Sequence, residues 1–236
     1  MILGIYGFGK MGSAIYKIAK SYQDFSDILI YKQEDSIENF ISKADLILDF
    51  SINSATAHLL NNMIEAKASN SVVVGTTNLS NNLTNSINNL SDRVPVMVAP
   101  NVSLGANLLA KFASEASKIL GKKYDIDIIE RHHNLKVDSP SGTALLIGNA
   151  VANEVDLKIE LNSATTPREN VMNIHSIRSG SIAGEHEVIF CSSDDEFIIK
   201  HKIYNRDLLA KNALEIGIWL KKQKPGLYNI DEFLGI

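Results

Sequence analysis

The sequence predicts an α/β fold in which a parallel-sheet domain carries a second domain built on a different kind of sheet. Three observations predict it. Up to about residue 102, short apolar strands alternate with helix-patterned stretches, the pattern of a parallel sheet covered on both faces. Beyond residue 120, strands alternate apolar and polar residues, as in a sheet with one face in water. A last amphipathic helix, 206–223, has no room in that second sheet and is expected to return to the first domain.

In order, Met1–Tyr6 reads as a strand, followed by Gly7-Phe8-Gly9-Lys10-Met11-Gly12 and a helix on which Ala14, Ile15, Ile18 and Ala19 share a face. Strand, G-x-G-x-x-G, helix is the context of a dinucleotide site. The glycines permit a tight turn and close approach to a pyrophosphate, and the helix N-terminus faces the phosphates. The next strand, Asp27–Tyr31, closes on Lys32, where an acid would bind the ribose 2′-OH of NAD. A lysine there would pair with the 2′-phosphate of NADP, with help from Lys10. NADPH is therefore expected to serve at least as well as NADH.

Helices are expected over 36–44, 54–67 and 78–92, and strands at 44–51, 71–74 and 94–99. Gly75-Thr76-Thr77 and Ala99-Pro100-Asn101-Val102 follow strands, where open α/β sheets hold ligands. A long helix, 104–120, is read with Leu108, Leu109, Phe112, Ala116 and Ile119 on its buried face. Strands follow at 124–130, 173–178, 185–191 and 197–204, with loop expected over 153–172 and a short end segment over 228–234. His58 is read as a surface or helix-packing residue, and His175, His186 and His201 as packed or surface residues.

The 236 residues are 45% hydrophobic with a formal net charge of −4. That fits a globular protein and argues against nucleic acid or an anionic membrane as the main partner. The apolar run Ile2–Tyr6 is too short for a signal peptide, and no run reaches membrane-span length. A cytoplasmic protein is expected. Cys191, the single cysteine, ends a strand and is read as a buried small hydrophobe.

The chemistry concentrates in Glu130-Arg131-His132-His133-Asn134-Leu135-Lys136-Val137-Asp138-Ser139-Pro140-Ser141-Gly142-Thr143-Ala144. Two histidines titrate near neutral pH, and Lys136 offers a cation and a proton. Ser141-Gly142-Thr143 opens a helix over 144–151, whose N–H groups suit a carboxylate. A turn with an ordinary N-cap is the plain alternative. No spacing of ligands completes a metal site.

This stretch is similar to the signature E-x-H-H-x-x-K-x-D-A-P-S-G-T-A of the 4-hydroxy-tetrahydrodipicolinate (dihydrodipicolinate) reductase family, with Ser139 in place of Ala. Supporting matches are Gly9–Gly12, Asp49-Phe50-Ser51, Val74–Thr77, Ala99-Pro100-Asn101, Ile177–Gly180 and Gly184-Glu185-His186. The resemblance covers nearly the whole chain. It implies a Rossmann-type domain made from 1–102 and 206–236, with an inserted α+β domain, 103–205, on an open mixed sheet. It also implies NAD(P)H-dependent reduction of 4-hydroxy-tetrahydrodipicolinate in lysine and diaminopimelate biosynthesis, by a homotetramer joined through those sheets. His132 resembles the acid/base, Lys136 the proton donor and His133 a substrate contact. Ser141, Gly142 and Thr143 match the substrate-carboxylate turn, and Arg206 an arginine near the hinge. Gly7–Gly12, Gly75–Thr77 and Ala99–Val102 match nucleotide contacts. The glycine turn is one residue shorter than the family's usual G-x-x-G-x-x-G, and Lys32 stands where many members have an acid, so the choice between NADPH and NADH stays open. The rival readings are another two-domain NAD(P)-dependent amino-acid or oxo-acid dehydrogenase, and a non-catalytic nucleotide-binding regulator.

Overall fold

The computed structural model describes residues 1–161 and 170–236. The chain divides into two compact units, Met1–Val102 with Asp207–Ile236, and Ser103–Arg206.

The first unit begins β1 (Ile2–Tyr6), α1 (Lys10–Ala19), β2 (Asp27–Ile30), α2 (Ile37–Lys43), β3 (Leu46–Asp49), α3 (Asn53–Glu65), β4 (Ser71–Val74), α4 (Asn81–Ser91), β5 (Pro95–Val98). The strands are short because they are buried: Leu46–Asp49 and Ser71–Val74 have no exposed residue. On one face of the sheet, Phe40 of α2, Leu59, Leu60 and Met63 of α3, and Leu83, Ile87 and Leu90 of α4 form a continuous core with Ile47, Val72, Val74 and Val96. The Asn-rich helix α4 forms despite its composition. Ser80 caps it by accepting from the Leu83 N–H, and its apolar residues fall on one buried stripe.

The second unit runs α5 (Leu104–Leu120), a short 3-10 turn, β6 (Asp125–His132), α6 (Gly142–Val155), β7 (Lys158–Leu161), β8 (Val171–Arg178), β9 (Gly184–Cys191), β10 (Glu196–Ile203). Its sheet order is β10-β9-β6-β8-β7. The β10–β9 and β9–β6 pairs are antiparallel, and the β6–β8 and β8–β7 pairs are parallel. Leu109 and Ala113 of α5, with Ala144, Ile147 and Val151 of α6, pack on Ile126, Ile128, Met172, Ile174, Val188 and Phe190.

The chain then returns to the first unit through α7 (Asp207–Leu220), β11 (Gly226–Tyr228) and α8 (Ile230–Leu234). Helix α7 lies on the face opposite α2–α4, where Gly217 brings its backbone against Leu46 and Leu48; a Cβ there would sit 2.7 Å from Leu46. The complete first sheet has order β11-β5-β4-β3-β1-β2, and every pair is parallel. The order reverses between β1 and β3, and ligands bind outside the carboxyl ends of strands at such a switch point. The fold is thus a Rossmann-type parallel sheet with an inserted mixed-sheet unit.

Three expectations need correction. Cys191 is exposed: it ends β9 on the face that α5 and α6 do not cover. Phe112 and Ile119 are exposed at 56% and 83%; small residues (Ala106, Ala110, Ala113, Ser114, Ser117) line the buried face of α5 instead, because α6 packs closely against it. Loop was expected over 153–172, but α6 continues to Val155 and strands occupy Lys158–Leu161 and Val171 onward. The rest of that expectation, 162–169, lies outside the described residues. The end segment is a sixth parallel strand and a capped helix; three residues suffice for β11 because it only edges β5.

Candidate active site

Strand β6 runs two residues past the expected end at Glu130, so His132 stays in the ladder, opposite Arg178 of β8. Glu130 and His132 then share the face that carries Ile126 and Ile128, the face covered by helices. This places a carboxylate at 0% exposure and an imidazole at 8%. A buried carboxylate requires partners, and Glu130 is surrounded by donors, the Ser176 side chain among them. His132 Nδ1 approaches Oε2 at 2.6 Å. Arg178 gives a two-pronged contact, Nη1 to Oε2 at 2.8 Å and Nη2 to Oε1 at 2.6 Å. The Ser141 N–H donates to Oε1 at 3.1 Å. Burial alone would raise the Glu130 pKa, but the hydrogen bonds from His132 and Arg178 outweigh it and hold the carboxyl well below the usual range.

An ionised carboxylate only accepts, so Nδ1 of His132 carries the hydrogen in this pair. Nε2 is left for chemistry, lying beside Gly184, where a Cβ would come within 3.3 Å. His186, on β9 in register with Glu130, packs edge-on against His132 with ring centroids 5.2 Å apart. Its Nε2 is 3.0 Å from Ser141 Oγ. Burial, helped by the neighbouring His132, pushes its pKa down to about 3. His186 is therefore neutral at physiological pH.

Ser141 is the N-cap of α6: its Oγ accepts from the Ala144 N–H at 3.1 Å. One residue thus ties the helix start to Glu130 through its backbone and to His186 through its side chain. Beyond it, Gly142 is exposed and Thr143 half-buried at the open end of the helix. The 133–139 loop curls on itself. His133 Nδ1 accepts from the Leu135 N–H at 3.2 Å, and the Lys136 N–H donates to the His133 carbonyl at 3.2 Å. Lys136 Nζ lies 2.8 Å from both carboxylate oxygens of Asp138. That lysine is one-fifth exposed and Asp138 three-fifths, so the pair sits at the surface beside the buried cluster.

In the first unit, Gly7 has φ +91°, and α1 begins at Lys10 with no side-chain cap and no acid in its first turn. Its first N–H groups are thus available to an anion. A cavity of about 640 Å³ opens between the β1, β2 and β3 ends, lined by Gly7, Phe8, Tyr31, Lys32, Gln33, Ser51 and His58 among others. That volume suits a cofactor fragment. Phe8, Gly9, Lys10 and Lys32 are exposed there, Met11 is half-buried and Gly12 buried. Gly75–Thr77 and Ala99–Val102 occupy the carboxyl ends of β4 and β5. Thr76, Ala99 and Val102 are buried. Arg206 is exposed at the end of the second unit.

The structure therefore brings His132 and Ser141 into one cluster, with His133, Lys136, Gly142 and Thr143 on adjoining segments. It gathers Gly7, Phe8 and Lys32 around one cavity. Sequence reasoning gave no role to Arg178, and it read His186 only as packed or surface. Only half of that pair was marked in the sequence: a carboxylate on the inward face of an alternating strand calls for buried donors, but nothing local points to Arg178 as one of them.

Comparison with known proteins is decisive here. Residues 1–102 match the family model "Dihydrodipicolinate reductase, N-terminus", and residues 105–234 match "Dihydrodipicolinate reductase, C-terminus". The chain belongs to the dihydrodipicolinate reductase family. It is 35% identical to the 4-hydroxy-tetrahydrodipicolinate reductase of Campylobacter jejuni, covering 99% of both chains. It is 33% identical to that of Caldanaerobacter subterraneus, covering 96% of this chain and 94% of the relative. The solved dihydrodipicolinate reductase of Paenisporosarcina sp. TG-14, described as dipicolinate-bound, shares the fold with TM-score 0.79 at 21% identity, covering 99% of each chain. In this family the N-terminal part is the Rossmann-type, nucleotide-binding one, which fits the uncapped α1, the Gly7 turn and the cavity beside it.

Proposed function

We propose that Glu130, His132, Lys136 and the Ser141–Thr143 turn carry the reaction, with residues 1–102 and 206–236 binding the nucleotide and 103–205 the substrate. The activity is NAD(P)H-dependent reduction in lysine and diaminopimelate biosynthesis. The names of the relatives support 4-hydroxy-tetrahydrodipicolinate, a cyclic dicarboxylate, as the substrate, and its conversion to tetrahydrodipicolinate requires loss of the hydroxyl as water and gain of a hydride and a proton. The bound nicotinamide supplies the hydride, which no side chain can.

The chain's own residues supply the rest. One carboxylate sits at the α6 N-terminus, beside exposed Gly142 and half-buried Thr143, next to the Ser141 cap. Lys136 exchanges Asp138 for the other carboxylate or for the ring, and it or His132 Nε2 delivers the proton as general acid. His133 borders this path. The observation that carries the reading is the Glu130 carboxylate, which fixes the His132 ring and the Ser141 turn together. The uncovered face of the second sheet, where Lys200 bridges Glu185 and Glu187 beside half-exposed Ile129 and Ile189, is assigned to subunit contact in a homotetramer. A cytoplasmic setting follows from the biosynthetic role, and no helix among the described residues is long and apolar enough to cross a membrane.

The test is NADPH and NADH oxidation with the condensation product of pyruvate and aspartate semialdehyde made in situ, and light scattering for mass. Fast oxidation by the wild type that collapses in His132→Ala and Lys136→Ala supports the reading. Tight nucleotide binding without oxidation would sink it.

A further inference from the structure

A second fully buried carboxylate, Asp49, stands at the end of β3 with no cation among its partners. Its Oδ1 accepts from the Ser51 N–H at 3.0 Å and the Ser51 hydroxyl at 2.5 Å. Its Oδ2 accepts from the Thr56 hydroxyl at 2.6 Å. Thr56 Oγ1 lies 2.8 Å from Thr76 Oγ1. Each hydroxyl has one hydrogen. Thr56 gives its hydrogen to Asp49, so in the Thr56–Thr76 bond Thr76 is the donor. The charge on Asp49 thereby sets the direction of the whole chain. The hydrogens of Ser51 and Thr76 are both committed inward, which leaves only their lone pairs for a further partner; Ser51 lines the cavity, and Thr76 lies buried behind it, 4% exposed.

The place matters as much as the direction. Three loops converge on this carboxylate. The Phe50 N–H donates to the Tyr6 carbonyl at 2.9 Å, and the Gly75 N–H to the Asp49 carbonyl at 2.8 Å. A Cβ on Gly7 would meet the Phe50 backbone at 2.8 Å, and one on Gly75 would collide with the Phe50 ring. The Gly7 turn, the 50–52 segment and the 75–77 segment are thus locked to each other, and Ser51 lines the cavity beside Gly7. A buried anion here is also badly placed for phosphates, which belong at the α1 N-terminus.

We propose that Asp49 is a positioning residue for the cofactor: it turns Ser51 and, through Thr56, Thr76 into hydrogen-bond acceptors for the donor groups of a bound nicotinamide nucleotide, its ribose hydroxyls and carboxamide N–H. The proposal rests on the nucleotide reading of the first unit. It separates two kinds of contact, phosphates on helix N–H groups and sugar or amide donors on hydroxyl oxygens oriented from within.

Asp49→Asn tests it. The amide places a donor against Thr56, reversing Thr56 and Thr76. KM for NADPH is expected to rise tenfold or more and kcat to change less than threefold, with little loss of thermal stability. Thr56→Val is expected to give the same split, and Thr56→Ser, which keeps the hydroxyl, to restore wild-type KM. This pair carries the test should Asp49→Asn fail to fold. Unchanged KM in Asp49→Asn and Thr56→Val, or a defect in Thr56→Ser equal to that in Thr56→Val, would overturn the proposal. Absence of NADPH and NADH binding by the wild type itself would remove the nucleotide reading along with it.

Discussion

Glu130, inside β6, and Asp49, at the end of β3, are both fully buried carboxylates, yet the chain solves their burial in opposite ways. Glu130 is neutralised by a two-pronged arginine and bonded to a histidine, which drives its pKa down. Asp49 has only hydroxyl and N–H donors, and burial leaves its pKa raised. The difference matches the roles proposed for the two. A carboxylate that fixes a proton-handling imidazole must stay ionised at every working pH. One that only orients hydroxyls needs no cation, and a cation beside a nucleotide's sugar would compete for the phosphates.

The largest effect expected from this contrast is on stability. Arg178→Met leaves Glu130 buried without its guanidinium partner, which costs about 3–5 kcal/mol, whereas Asp49→Asn removes a buried charge that has no cation beside it and is expected to cost less than about 1 kcal/mol. Urea unfolding of the two variants reads the gap; equal losses would break the distinction. On catalysis, Lys136→Ala is expected to lower kcat far more than it raises KM, and a rise in KM alone would make Lys136 a binding residue.

The pH dependence of stability sharpens the contrast further. The folded pKa of Glu130 lies below its unfolded value, so its contribution is complete above the ordinary carboxylate range and is lost as pH falls below it. His186 is depressed from 6.5 to about 3. The unfolded chain therefore takes up a proton that the fold refuses, and stability falls as pH drops through that window. Asp49, with a raised folded pKa, acts in the opposite sense: ionising it in the fold costs stability as pH rises. His186→Gln should flatten the decline in melting temperature between pH 6.5 and about 3, and an unaltered slope would show that His186 titrates freely. The smallest effect is on cofactor choice: Lys32→Ala is expected to reduce kcat/KM for NADPH several-fold relative to NADH, and an unchanged ratio would place the 2′-phosphate elsewhere.

Much of this was legible in the sequence for physical reasons. Continuous apolar strands such as Val72–Val74 announce a parallel sheet, and Glu130 followed by His132 on an alternating strand announces two polar groups on one face. The resemblance of 130–144 to a family signature gave the chemistry. What stayed hidden depends on packing between distant segments. Arg178 lies 48 positions from Glu130, and Thr56 and Thr76 are 20 apart; nothing local marks them as partners. The face of α5 was misjudged because hydrophobicity, not size, was used to choose it, while close packing with α6 selects alanine and serine. Three-residue β11 carries too little pattern to announce a strand.

The measurement that bears most directly on the account is steady-state kinetics of Glu130→Gln and Asp49→Asn side by side, with NADPH varied and the substrate generated in situ. The account predicts a crossed result: Glu130→Gln lowers kcat by a hundredfold or so with little change in KM for NADPH, as expected for a lost orienting partner of an acid/base histidine, and Asp49→Asn raises KM for NADPH with little change in kcat. Two variants with the same kinetic signature would contradict the division of labour between the two carboxylates.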